Sequence, residues 1–402
     1  MKKLIFFVGM NLFSYCCYAD NLLSTLFNQE AVETEKSDSK LYGLSPETLE
    51  KLCLTENNFN ACIAAGEKFS AVNSAYKNYR KAQTVFEKGC SLKYGKSCAE
   101  LGQFYEKKLL DDNNFSDAVK AYKRGCSFNH AYSCYRLGNA LRKETAKVNK
   151  DSYQAYKKSF ELASEGCDLN KGEDCFVKGN LYSYGKLEKP DYQKANIYYE
   201  KACKFNEGKG CTNLGTSYEY GEGVNQDVKL AKAYYEKGCT LEDNIGCGNL
   251  GLLYLNGKNV KQDFQKAKAY FEKACGLNEG NGCGNLGYLY EKALGVKQNL
   301  VQAKNYYEKA CELNSGAGCV NLGSFYDYGK SVKQDLYKAE SYYKKSCELN
   351  MAFGCFNLGV MYENSGKESQ YYQFSGEFYG KACDLGLQDG CNEYKRLNKH
   401  SD

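Results

Sequence analysis

CGNLGLLYLNGKNVKQDFQKAKAYFEKACGLNEGNG, running from Cys247 to Gly282, decides the fold, because variants of it occupy nine consecutive stretches of the chain. Aligned on the opening cysteine, the nine stretches share a column structure. Leu stands three residues after the Cys at 101, 137, 214, 250, 286, 322 and 358, with Ala65 and Lys178 breaking the column. Gly stands four residues after it at 66, 102, 138, 179, 215, 251, 287, 323 and 359. Tyr stands seven after it in seven stretches, with Phe69 and Leu141 in the other two. Offsets 0, 3, 4 and 7 fall on one face of an α-helix, here helix A. The Gly weakens that helix by roughly 1 kcal/mol relative to Ala, so its recurrence predicts a neighbouring backbone too close for a side chain.

A second apolar stripe precedes the next cysteine. In AKNYYEKAC, Ala303, Tyr306, Tyr307, Ala310 and Cys311 lie at −8, −5, −4, −1 and 0. This is helix B, with small and large residues alternating along its core face. The Tyr pairs, such as Tyr234/Tyr235, are expected in the core rather than around a ligand. Between the helices lies a turn such as YGEGVNQD at 220–227. Gly221 suits a helix C-terminus, and Val224, Val260, Val296 and Val332 are expected as a buried plug. Asp227, Asp263, Asn299 and Asp335 are expected to cap helix B.

The cysteines punctuate this repeat. Of 22, Cys16 and Cys17 sit near the N-terminus. The other twenty form close pairs: Cys53 with Cys62, Cys90 with Cys98, Cys126 with Cys134, Cys167 with Cys175, Cys203 with Cys211, Cys239 with Cys247, Cys275 with Cys283, Cys311 with Cys319, Cys347 with Cys355, and Cys383 with Cys391. From Cys167 to Cys383 the first members step by 36 residues, and the step from Cys126 to Cys167 is 41, an insertion of five. Periodicity predicts pairing within each close pair, although sequence alone does not prove connectivity. Each bond would then tie helix B of one unit to helix A of the next, a nine-residue loop worth about 2.6 kcal/mol by chain entropy.

One helix hairpin cannot bury its stripe alone, and stacking does so. The sequence therefore predicts an all-α fold: an α/α superhelical solenoid of about nine disulfide-stapled hairpins. Its expected parts are a signal peptide at 1–19, a flexible linker at 20–45, an N-terminal capping helix at 46–61, repeats at 62–390, and a C-terminal cap and tail at 391–402. The signal reading rests on Lys2 and Lys3, the short apolar run Leu4 to Phe13, and Cys17-Tyr18-Ala19 before a cut at Asp20. It predicts a secreted or periplasmic protein in an oxidising compartment.

Composition agrees with a repeat array. The 402 residues include 39 Gly, 37 Tyr, 2 Pro and no Trp, and the mean hydropathy is −0.63. A formal charge of +5, close to +3 without Lys2 and Lys3, is a mixed solvated surface. It predicts no nucleic-acid partner. No apolar run of spanning length follows the N-terminus, so contact with a membrane is expected to be peripheral at most. The chain is expected to be a monomer.

C-x-N-L-G-x-x-Y, G-x-x-V-x-Q-D and A-x-x-Y-Y-x-K-A-C together resemble the Sel-one-like repeat. With the paired cysteines and a signal peptide, the chain resembles the Helicobacter cysteine-rich protein family over about 330 residues. The resemblance implies a disulfide-stapled superhelix related to tetratricopeptide arrays, exported, and acting as an interaction scaffold that meets host cells. It also implies penicillin binding or weak β-lactamase activity, with a β-lactam as ligand.

The residues give that enzyme little support. Four S-x-x-K pairs occur, Ser37/Lys40, Ser74/Lys77, Ser183/Lys186 and Ser341/Lys344, without the S-D-N or K-T-G elements of a serine β-lactamase. The two histidines, His130 and His400, are too few for a zinc hydrolase. No C-x-x-C suggests thiol redox chemistry. No catalytic set, metal or cofactor is predicted. One polar column lacks a core role: Asn213, Asn249, Asn285, Asn321 and Asn357, each two residues after its Cys. It reads either as an amide ladder for a peptide, protein or cell-wall glycan on the concave face, or as a brace for a neighbouring helix. Tyr220, Asn256, Lys292 and Tyr328 beside it would carry specificity.

Overall fold

In a computed structural model of the chain, residues 41, 43–71, 75–107, 110, 115–145, 149–257, 260–364 and 369–398 are described. The expected signal peptide, all but the end of the expected linker, and His400 lie outside them. The described residues form twenty α-helices and no strand. In order these are α1 (Pro46–Glu56), α2 (Phe59–Ser70), α3 (Tyr79–Ser91), α4 (Gly95–Glu106), α5 (Phe115–Ser127), α6 (Ala131–Thr145), α7 (Lys150–Asp168), α8 (Gly172–Ser183), α9 (Tyr192–Lys204) and α10 (Gly208–Tyr220). They continue with α11 (Val228–Thr240), α12 (Asn244–Asn256), α13 (Phe264–Gly276), α14 (Gly280–Lys292), α15 (Leu300–Glu312), α16 (Gly316–Tyr328), α17 (Leu336–Glu348), α18 (Ala352–Asn364), α19 (Ser369–Asp384) and α20 (Gln388–Asn398). Even-numbered helices are the A helices and odd-numbered ones the B helices; α1 takes the place of a B helix. None is long and apolar enough to cross a membrane.

Each A helix begins three residues ahead of its cysteine, not at it, as Gly208 does for Cys211. Each B helix from α3 onward runs one residue past its cysteine, as Glu312 does for Cys311. Only a three-residue turn separates them, and its middle residue has positive φ: Asn129, Asn170, Asn206, Asn278, Asn314 and Asn350, with Lys93, Glu242 and Gly386 in the other three. Asn tolerates this left-handed backbone better than other side chains do.

Ten disulfides bridge these turns and the shorter one between α1 and α2. Cys53 bonds Cys62, Cys90 bonds Cys98, Cys126 bonds Cys134, Cys167 bonds Cys175 and Cys203 bonds Cys211. Further along, Cys239 bonds Cys247, Cys275 bonds Cys283, Cys311 bonds Cys319, Cys347 bonds Cys355 and Cys383 bonds Cys391. Their Cα–Cα distances are 4.5–4.7 Å. Each therefore joins a B helix, or α1, to the A helix that follows it. The five inserted residues before Cys167 are absorbed chiefly by α7, which is 19 residues long where most B helices have 13.

The remaining signals divide. Asp227, Asp263, Asn299 and Asp335 cap their helices, and Gly221 ends α10 with φ 75°. The Gly of helix A answers first to a ring and in several repeats also to the helix-B backbone: a methyl at Gly251 would lie 2.6 Å from the Phe271 ring, and one at Gly287 2.7 Å from the Tyr307 ring and 3.1 Å from the Ala303 carbonyl oxygen. The four Val residues are half-buried, not buried plugs. Of each Tyr pair only the second is fully buried; Tyr234 is half-buried and stacks on Tyr218 at 5.6 Å. Lys178 keeps the Leu column closed by lying over the rings of Tyr198 and Phe160 at 4.5 and 5.4 Å.

Successive A helices pack directly on one another from α2 to α18, whereas successive B helices do so firmly only from α1 to α5. The A layer is therefore the inside of the curve. The coil closes on itself where Lys77 pairs with Glu312 at 3.4 Å and the Asn314 amide donates to the Lys107 carbonyl at 3.1 Å. These contacts bridge 235 and 207 residues, about six repeats.

Candidate functional site

With offsets 0, 3, 4 and 7 turned to the core, offsets −2, 2, 5 and 9 of each A helix share the opposite, inward face. Two cavities one repeat apart lie on it. One, about 340 Å³, is lined by Thr216, Glu219, Tyr220, Tyr235, Asn249, Leu252 and Asn256, among others. The other, about 260 Å³, is lined by Ser183, Tyr184, Tyr199, Asn213 and Thr216, among others. The same positions build both: an exposed Tyr at offset 9, the hydroxyl of the buried B-helix Tyr, and the Asn at offset 2 of the following A helix. Tyr184 and Tyr220 are 58% and 67% exposed, so each presents its ring to the groove.

All five Asn of the predicted column are half-buried. Asn213 and Asn249 each enter one of these cavities. The Asn213 amide also donates to Asn180 Oδ1 at 3.2 Å, so it braces the preceding A helix as well. Asn357 lies within hydrogen-bond reach of the Tyr343 hydroxyl. Of the proposed specificity positions, Tyr220 and Asn256 share a cavity. Lys292 instead pairs with Glu291 at 3.1 Å, and Tyr328 is 72% exposed.

A further column was not found from sequence. Each buried B-helix tyrosine needs an acceptor, and residues on the A helix of the same hairpin supply one. Tyr122 donates to Glu106, Tyr235 to Glu219, Tyr307 to Glu291, Tyr343 to Asp327 and Tyr379 to Glu363, at 2.7–3.3 Å. All five acceptors stand eight residues after their Cys. Tyr156 and Tyr199 use Asn139 and Asn180 instead. Where the B-helix ring is Phe86 or Phe271, offset 8 holds Ser70 or Leu255, so the acceptor is lost together with the hydroxyl. That covariation between repeats was the readable signal. Burial, followed by the carboxylate, pushes hydroxyls such as Tyr307 far above the ordinary phenol range.

Three of these carboxylates also meet a cation of this chain. Arg136 pairs with Glu106, Lys330 with Glu291 at 3.4 Å, and Arg396 with Glu363. Glu219 and Asp327 belong to no ion pair among the described residues.

The enzyme-like motifs do not assemble. Ser183 lines a cavity, but Lys186 reaches over the Tyr156 and Tyr184 rings, and no described hydrogen bond joins it to Ser183. Ser341 is on α17, far along the chain, while Ser37, Lys40 and Ser74 lie outside the described residues. His130 bonds Ser133 at 2.8 Å and faces Glu173 at 3.6 Å. No group of three metal-ligating side chains is found among the described residues.

The model of the Sel1 repeat matches residues 131–170, 179–204, 208–243, 245–279, 281–315, 316–351 and 352–387. Among solved structures, a Sel1 repeat protein from Oxalobacter formigenes is 23% identical, covering 62% of this chain and 99% of that one, with a TM-score of 0.53. The protective antigen c5321 of uropathogenic Escherichia coli, which displays an SLR fold, is 24% identical, covering 87% and 74%, with a TM-score of 0.48. Helicobacter pylori cysteine rich protein B is 42% identical over 32% of this chain and 91% of that one, with a TM-score of 0.27. No curated protein matches the chain.

Proposed function

The chain belongs to the Sel1 repeat family, and from that premise we propose that it is an exported, non-catalytic scaffold that binds an extended polypeptide along its inner face. The carrying observation is the pair of equivalent cavities built from successive A helices. Helices pack 8–10 Å apart, close to three residues of extended chain at about 3.3 Å each, so an extended ligand could use one cavity after another. A groove held rigid by disulfides loses little freedom on binding. The ten disulfides point to an oxidising environment outside the cytoplasm. Secretion or periplasmic residence, following cleavage at Asp20, is the form of export proposed.

The test is selection from a random peptide display library on the oxidised full chain. Retained peptides should bind the Asn249→Leu variant at least fivefold more weakly, with its melting temperature unchanged. Equal binding to both proteins, or retention of cell-wall glycan fragments but no peptide, would remove the polypeptide reading.

A further inference from the structure

The array shows what one of its own pockets can hold. In the α4/α5 hairpin, Glu106 stands at offset 8 and accepts from Tyr122 at 2.8 Å. Arg136, at offset 2 of the following A helix, fills the space in front of them. Its guanidinium pairs with Glu106, lies 5.3 Å from the Tyr122 ring centre, and donates to the Tyr132 hydroxyl at 2.9 Å. The α10/α11 hairpin repeats this frame: Glu219 at offset 8, accepting from Tyr235 at 2.7 Å. Offset 2 of the next A helix is here Asn249, too short and uncharged to reproduce the ion pair. The space Arg136 fills in one repeat is a cavity of about 340 Å³ in the other. Its carboxylate has no cation among the described ion pairs, and Tyr220 offers an exposed ring.

We propose that the pocket formed by Glu219, Tyr235, Tyr220, Asn249 and Asn256 receives the guanidinium of an arginine side chain from the bound polypeptide. A planar guanidinium both pairs with a carboxylate and stacks on tyrosine, as Arg136 does within the chain. The Asn249 and Asn256 amides supply acceptors for its remaining N–H groups. The inference rests on the groove reading above and deepens it, assigning one side-chain class to one repeat.

The test follows amide resonances of the oxidised full-length protein during titration with Nα-acetyl-arginine amide, with the citrulline analogue as the uncharged control. The arginine probe should give saturable shifts at Thr216, Asn249 and Asn256, and the citrulline probe none. Glu219→Gln should weaken binding about tenfold, the loss expected for a charged hydrogen bond. Asn249→Arg copies Arg136; it should abolish probe binding and raise the melting temperature in low salt. That gain separates a filled pocket from a misfolded variant. Equal shifts with citrulline, no saturation with arginine, or unchanged binding in both variants would overturn the proposal. Library peptides that need Asn249 but show no enriched arginine would sink this inference and leave the groove reading standing. A saturable arginine probe with no retained peptide would do the reverse.

Discussion

Asp174 shows how one residue can depart from the repeat around it. It precedes Cys175, where the two preceding units carry Ser97 before Cys98 and Ser133 before Cys134. Its carboxylate faces Gly166 on α7, and a methyl there would collide with it. Burial, with the charge of Glu173 adding to it, pushes this carboxyl up to about 6, against the opposing charges of Lys171 and His130. A pKa raised above the unfolded value of about 3.9 means the protonated form suits the fold. The stability it contributes is complete below about pH 4 and lost as pH rises through 6. Asp174→Ser should therefore stabilise the protein at pH 7.5, by about 1 kcal/mol after allowance for partial exposure, and leave it unchanged near pH 4. Urea melts at the two pH values check this; no gain at pH 7.5 would mean that the carboxylate is not penalised. Sequence reading found the αL glycine Gly221 and the caps, because those depend on a residue and its immediate neighbours. It missed the left-handed Asn turns, which carry no apolar periodicity, and it read the helix-A glycines as backbone contacts without the rings that lie nearer. A ring from the partner helix and a backbone exclude the same Cβ, so a glycine alone does not tell them apart.

At the level of helix pairs, one rule governs nine of the ten stapled crossings; the first, where Leu52 and Ala61 precede Cys53 and Cys62, departs from it. The residues before the two cysteines face each other, and in eight pairs one is Gly while the other carries a Cβ. Gly89/Ser97, Gly125/Ser133 and Gly166/Asp174 place the Gly on helix B; Ala202/Gly210, Ala274/Gly282, Ala310/Gly318, Ser346/Gly354 and Ala382/Gly390 place it on helix A. Gly238 and Gly246 are both Gly, and the Thr212 hydroxyl takes the space, 2.5 Å from either missing methyl and donating to Asp243 at 2.6 Å. The crossing thus holds one small side chain, whichever helix supplies it. Gly282→Ala would bring its methyl 2.8 Å from the Ala274 Cβ and should cost about 1–3 kcal/mol, as overpacking does. Ala274→Gly alone should cost about 1 kcal/mol through helix propensity. The double variant should lie at least 1 kcal/mol above the sum of the singles, because it recreates the Gly-on-B arrangement. Strictly additive urea melts would refute the steric coupling. The inward column was only half legible for a related reason. Asn at offset 2 is conspicuous in single repeats, but the carboxylates at offset 8 gain meaning only when paired with the B-helix Tyr or Phe, and that pairing is a relation between two helices.

Over the whole chain, a 36-residue period announced the stacking of hairpins, but curvature is set by small rotations at each crossing that no single repeat encodes. The closing contact between Lys77 and Glu312 is a product of that accumulation. It pairs half-exposed side chains and contributes little on its own, so the shape must be held by the crossings. Their cores are thin, with much of the buried surface in Ala, Gly and single rings, and the disulfides compensate by restricting the unfolded chain, each by about 2.6 kcal/mol on the entropy estimate. Both cysteines are buried at every crossing from Cys53–Cys62 to Cys347–Cys355, Cys126 at 7% exposed being the most open of them. Only the terminal pair, Cys383 and Cys391, is half-buried. A reductant therefore reaches the other nine disulfides only when a crossing opens. Protein reduced in denaturant and refolded under excess phosphine, with free thiols counted, should melt at least 20 °C below the oxidised form. In a quasi-one-dimensional array the loss should also be local. Cys275→Ala with Cys283→Ala should lower amide-exchange protection in α13 and α14 more than in α2 and α3. A melt unchanged after verified reduction would show that packing alone holds the coil. Protection lost uniformly along the chain would show instead that the superhelix unfolds as one cooperative body, with the Lys77–Glu312 contact helping to tie the first hairpin to the seventh.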